Sequence, residues 1–208
     1  MKPDIDYTLY LVTDRDLMST ETIEEAVEAA CRGGVTLVQL REKHVTLDEY
    51  KAIAARVKAV CDSFGVPLII NDEPDVAVAV GAAGVHVGQE DLEARKVREI
   101  VGPDRIVGVS AGSIEEARAA QAAGADYLGV GAITFTATKP ESKVLTIDEL
   151  QKIVQSVDIP VVAIGGVSAQ TIPSIKEIGL AGYSLVSAII AAPDIEASAH
   201  ELREIIEA

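Results

Sequence analysis

The chain is poor in cysteine, in long apolar runs and in positive charge. Cysteine occurs twice in 208 residues. Cys31 and Cys61 sit inside helical patterns with neither a CxxC spacing nor a histidine partner, which points to two free, partly buried thiols rather than a disulfide or a zinc site. No apolar stretch approaches the ~18 residues of a membrane span. The opening Met1-Lys2-Pro3-Asp4-Ile5-Asp6 carries no apolar signal region, so the expected setting is cytoplasmic and no membrane partner is expected. Lys and Arg number 18 against 33 Asp and Glu, a formal charge of −15, and such a surface repels nucleic acid. Any anionic ligand therefore needs a local basic cluster. Two absences concern chemistry. No GxGxxG follows the first apolar run, where a dinucleotide fold would want its phosphate turn, and no Ser-His or Cys-His pair offers a nucleophile.

What is present is a regular alternation. At 49% hydrophobic residues the chain can bury one sizeable core, and a single domain over 1–208 is expected. Short β-branched or apolar runs predict eight strands, at Thr8–Thr13, Leu37–Arg41, Leu68–Asn71, Gly84–Val87, Ile106–Ser110, Tyr127–Gly131, Val161–Ile164 and Gly182–Val186. Between them lie helical patterns. In one, Tyr50, Ile53, Val57, Val60 and Phe64 are spaced by three and four, and Ile195, Ala199, Leu202 and Ile206 repeat this near the end. Thr22/Glu25, Thr46/Glu49, Ser113/Glu116 and Thr146/Glu149 each have the capping-box spacing that opens a helix. Gly34, Gly84, Gly124 and Gly182 are expected where helices end in left-handed turns. Eight βα units close most economically into a (β/α)8 TIM barrel, an α/β fold, with an open doubly wound sheet as the alternative.

In a barrel the active site is built from the carboxyl ends of the strands. The second strand ends in Gln39-Leu40-Arg41-Glu42-Lys43, where alternation sets Gln39, Arg41 and Lys43 on one face and turns Leu40 and Glu42 away. The third ends in Asn71-Asp72, and the loop after the fourth carries Asp91. Two carboxylates with phosphate and water oxygens suit Mg²⁺, although either acid could instead cap the next helix. His86 reads as a core histidine, His44 and His200 as loop and surface residues. The fifth strand ends at Ser110. After the sixth, the loop from Thr134 to Pro140 offers three threonines and Lys139 to phosphate oxygens. Gly165-Gly166 after the seventh and Val186-Ser187 after the eighth mark the place where many barrels bind a phosphate monoester. The mouth thus holds a metal-and-cation site suited to a diphosphate and a metal-free site suited to a monophosphate. Their juxtaposition implies group transfer with pyrophosphate leaving.

These motifs resemble the thiamine-phosphate synthase family over essentially the whole chain. The resemblance rests on Tyr10-Leu11-Val12-Thr13-Asp14, Val38 to Lys43, Ile70-Asn71-Asp72, Gly84 to Asp91, Gly108-Val109-Ser110, Thr136 to Lys139, Ala163 to Gly166 and Val186 to Ile189. It implies a Mg²⁺-assisted transferase of thiamine biosynthesis that joins hydroxymethylpyrimidine diphosphate to thiazole phosphate and releases pyrophosphate. It further implies that Gln39, Arg41, Lys43, Asn71, Ser110 and Lys139 meet the pyrimidine diphosphate. Of these, Arg41, Lys43, Ser110 and Lys139 are the catalytic group. Asp72 and Asp91 would hold Mg²⁺, while Thr136, Ala137 through its backbone, Thr138, Gly166, Val186 and Ser187 would hold the thiazole phosphate. The expected partners are therefore small molecules, and a homo-oligomer is compatible with the sequence. Where the family reads Gly-Pro-Ile-Phe-Pro-Thr this chain has Gly131-Ala132-Ile133-Thr134-Phe135-Thr136. Glu73 stands where a basic residue is common, and the usual Asn is missing past Gly166. Two other readings share the barrel: a thiazole tautomerase, which would want a histidine about where Ala132 stands, and a non-catalytic thiazole-phosphate sensor.

Overall fold

A computed structural model describes residues 1–135 and 143–208. Eight parallel strands close into one barrel in sequence order: β1 (Leu9–Val12), β2 (Leu37–Leu40), β3 (Leu68–Asn71), β4 (Gly84–Val87), β5 (Ile106–Ala111), β6 (Tyr127–Val130), β7 (Val161–Ala163) and β8 (Gly182–Leu185), with β8 pairing back onto β1. All eight expected strands form, each within two residues of its expected ends. The open sheet is excluded.

The helices follow the strands as α1 (Ile23–Arg32), α2 (Leu47–Phe64), α3 (Pro74–Ala79), α4 (Ala94–Val101), α5 (Ile114–Ala122), α6 (Ile147–Val154), α7 (Ile172–Ile175), α8 (Ser187–Ile190) and α9 (Ile195–Glu207). None of them is long and apolar enough to cross a membrane. Thr22, Thr46 and Thr146 form reciprocal capping boxes with Glu25, Glu49 and Glu149. At α5 the reciprocity fails. Ser113 accepts from the Glu116 amide at 3.1 Å, but the Glu116 carboxylate takes the Gly112 amide at 2.7 Å instead, tightening the turn that leaves β5. In α2 the buried stripe runs through Tyr50, Ile53, Ala54, Val57 and Cys61, leaving Phe64 exposed.

Alternation along the strands separates two apolar layers. Outward residues such as Leu9, Leu11, Val38, Leu40, Val85 and Val107 pack under the helices. Inward residues, Tyr10, Val12, Leu37, Ile69, Ile106, Tyr127 and Val162, fill the barrel together with Tyr7. Two glycines expected at helix ends belong to this inner layer. Gly34 (φ 96°) and Gly124 (φ 93°) do end helices left-handed, but Gly81 (φ 66°) and Gly179 (φ 86°) do that work where Gly84 and Gly182 were expected. Gly84 and Gly182 lie within β4 and β8. A Cβ there would stand 2.2 Å from the Ile106 carbonyl oxygen and 1.8 Å from that of Tyr7.

Cys31 on α1 and Cys61 on α2 are free, buried and hydrogen-bonded to each other. The bond to Cys31 and burial hold the Cys61 thiol well above the usual range, so it stays protonated.

Candidate functional site

The carboxyl ends of β2, β3 and β4 converge on a cavity of about 280 Å³ lined by Glu42, Lys43, Tyr50, Asn71, Asp72 and Asp91 among others. Strand β3 ends in Asn71, buried, and the next residue turns sharply. Asp72 has φ 63°, the only left-handed non-glycine backbone among the described residues. Such a conformation costs energy and persists where its surroundings fix it. Here the Asp72 amide donates to the His86 carbonyl at 2.8 Å, and its carboxylate takes the Lys43 ammonium at 2.5 Å.

Neither acid caps a helix. At α3 and α4 the capping positions belong to Glu73 and Glu93, which make no cap bond. Asp91 Oδ2 instead accepts from the Gly88 amide at 2.7 Å, folding its loop back so that its carboxylate faces Asp72. Burial raises the Asp72 pKa and Asp91 adds to this, against the lowering by Lys43. Two facing carboxylates are an oxygen donor set for a hard divalent cation, and the Lys43 ammonium is bonded to one of them. No cluster of three or more His, Cys, Asp or Glu suited to a metal occurs among the described residues, so water or substrate oxygens would have to complete the shell.

The β2 end differs from its expected alternation, because the strand stops at Leu40 and the next three residues turn. Gln39 points into the barrel, 2% exposed. Arg41 leans to Asp14 at 3.2 Å, with its amide on Thr13 Oγ1 at 3.0 Å. Glu42, expected to face away, lines the cavity and is held by Arg15 through a pair of bonds at 2.7 and 3.1 Å. Tyr50 braces this end from below, donating to the Leu40 carbonyl at 2.7 Å and 3.1 Å from that of Asn71.

Behind the cavity, Gln39 Nε2 donates to Tyr10 OH at 2.6 Å, and Tyr10 shares a bond of 2.8 Å with Tyr127. Tyr127 meets His86 Nδ1 at 2.9 Å, and His86 Nε2 meets Ser110 Oγ at 3.0 Å. His86 is the core residue its position in β4 suggested, but with Ser110 it forms a Ser-His pair where the sequence offered none, because β4 and β5 lie side by side in the barrel. Tyr10 and Tyr127, whose roles the sequence did not disclose, join Gln39 to Ser110. Their spacing of 117 residues hides the contact from any local motif.

On the far side of the mouth, Ile133 donates to the Gly165 carbonyl at 2.7 Å and Thr134 Oγ1 to that of Gly166 at 3.2 Å, tying the loop after β6 to the loop after β7. Gly165 (φ 81°) and Gly166 (φ 73°) are left-handed, and a Cβ at 166 would stand 2.0 Å from Thr134 Oγ1. Val186 is partly buried, and Ser187 opens α8, exposed. Thr136, Ala137, Thr138 and Lys139 lie outside the described residues. A larger hollow of about 490 Å³ lies at the opposite end of the barrel, beneath Tyr7 and Ile106, where Lys2 and Asp126 pair with each other. Catalytic groups do not converge there.

Residues 9–189 match the family described as thiamine monophosphate synthase. A thiamine-phosphate synthase of Ruminiclostridium cellulolyticum is 57% identical over 99% of this chain and 98% of its own. That of Clostridium beijerinckii is 54% identical over 98% and 97%. A thiamine phosphate pyrophosphorylase structure from Pyrococcus furiosus superposes with a TM-score of 0.90 at 37% identity, covering 97% of this chain and 96% of that one.

Proposed function

The chain belongs to the thiamine monophosphate synthase family, and from that premise we propose that it is the transferase that condenses hydroxymethylpyrimidine diphosphate with thiazole phosphate to thiamine phosphate, with release of pyrophosphate. The observation that carries the residue assignment is the meeting of Lys43, Asp72 and Asp91 on one cavity. An acidic chain would otherwise repel a diphosphate; the lysine and a metal-type carboxylate pair let it be held.

In this reading Arg41, Lys43 and Lys139 take the charge that develops on the departing pyrophosphate. Gln39, Asn71 and Ser110 hold the pyrimidine, whose electron-rich ring supports the methylene cation left behind. Thr136, the Ala137 backbone, Thr138, Gly166, Val186 and Ser187 hold the thiazole phosphate so that its ring nitrogen captures that cation. Asp72 and Asp91 would hold Mg²⁺, which when bound neutralises diphosphate charge. The chain's own contribution is positioning and charge stabilisation, with little proton transfer. The whole of 1–208 is one catalytic domain in this reading.

Mixing the two substrates with and without Mg²⁺ and following pyrophosphate and thiamine phosphate tests it. Both products are expected in equal amounts with the metal and little of either without it. No product under any metal condition would overturn the assignment.

A further inference from the structure

The bonds across the barrel interior form a chain with a direction. An amide nitrogen can only donate, so Tyr10 accepts from Gln39. Tyr10 is wholly buried, and its own proton then goes to its other hydroxyl partner, Tyr127. Tyr127 has thereby accepted, and its proton goes to His86 Nδ1. A neutral imidazole that accepts at Nδ1 carries its proton on Nε2 and donates from there, here to Ser110 Oγ. The Ser110 hydroxyl, used as an acceptor from inside, has its proton left for the mouth. At the other end Gln39, donating inward, keeps its amide oxygen as an acceptor. An aminopyrimidine carries both counterparts, ring nitrogens that accept and an amine that donates.

We propose that Tyr10, Tyr127 and His86 are positioning residues, a buried relay that sets Ser110 as a hydrogen-bond donor and Gln39 as an acceptor toward the aminopyrimidine. This rests on the assignment of Gln39 and Ser110 to the pyrimidine. Were the Gln39 amide turned over, the whole chain would run the other way, with the proton on Nδ1 and Ser110 donating inward.

Nitrogen NMR of the full chain labelled at histidine, free of substrate, reads the direction. The His86 signals should show Nε2 protonated and Nδ1 bare; a proton on Nδ1 overturns the proposal. The second arm is kinetic. Tyr127→Phe and Tyr10→Phe should each lower kcat/KM for the pyrimidine diphosphate about tenfold, the scale of one lost hydrogen bond, with KM for thiazole phosphate unchanged. On a Ser110→Ala background Tyr127→Phe should cost clearly less than tenfold, because only the branch through Tyr10 to Gln39 is left to lose. A full tenfold loss there would mean that Tyr127 does not act through Ser110 and would overturn the relay as drawn. Unchanged turnover in Ser110→Ala alone would instead sink the substrate role of Ser110. That failure is separable from the proton order, which NMR reads without substrate.

Discussion

The Lys43 ammonium lies 2.5 Å from Asp72 Oδ2, on a carboxylate that also faces Asp91. The lysine thus stands against the same acid that would receive a cation. Asp72→Ala is expected to lower Mg²⁺-dependent turnover at least a hundredfold while leaving thiazole phosphate binding intact. Steady-state kinetics and calorimetric titration with thiazole phosphate check this, and full activity in the variant would exclude Asp72 as a ligand.

Burial and Asp91 raise the Asp72 pKa, and the sign of the consequence follows. Between the ordinary value of 3.8 and the raised one, the folded chain holds a proton the unfolded chain has lost, so stability declines as pH rises through that window. At neutral pH the ionised acid is a standing cost. Without metal, Asp72→Asn should therefore melt no lower than the parent at pH 7. Saturating Mg²⁺, at a hundred times its dissociation constant, should stabilise the parent by about 2.7 kcal/mol and the variant hardly at all. Thermal melts with and without the metal decide it.

Glu149 behaves oppositely. Its bond to Lys143 and its cap on Thr146 hold its pKa down to about 2. A depressed carboxyl contributes stability that is present above 4.5 and lost as pH falls toward 2. Glu149→Gln should flatten the dependence of Tm on pH across that window and leave the neutral-pH profile parallel to the parent's.

Gly108 faces the relay from β5. A Cβ there would sit 2.2 Å from Tyr127 Cζ and 2.5 Å from His86 Nδ1. Overpacking of this kind costs about 1–3 kcal/mol, so Gly108→Ala should lower Tm by about 5 °C. Its loss of kcat/KM should match that of Tyr127→Phe. A stable and fully active Gly108→Ala would show that the rings have room to move.

Much of this was legible in the chain because parallel barrels write strand, cap and turn in short range. The ends at Asn71-Asp72 and Gly165-Gly166 could be read directly, since each is a break in an apolar run. Three features could not. Glu42 faces the cavity because β2 stops at Leu40, and alternation carries no information past the last paired residue. Gly84 and Gly182 look like helix stops, but a strand that must pass close to a neighbour's carbonyl asks for the same residue. The join of Tyr10 to Tyr127 depends on closure of the barrel, which sets residues 117 apart side by side.

The empty places opposite the rings have a consequence for how such a sequence can drift. Gly84, Gly108 and Gly182 each sit where a single carbon would strike backbone or ring. Every residue other than glycine adds at least that carbon. At Gly84 and Gly182 the obstacle is the carbonyl of Ile106 and of Tyr7, which no exchange of side chain removes, whereas change at Gly108 waits on prior change in Tyr127 or His86. Only at Gly108 can the large residue shrink first, and the small one cannot lead.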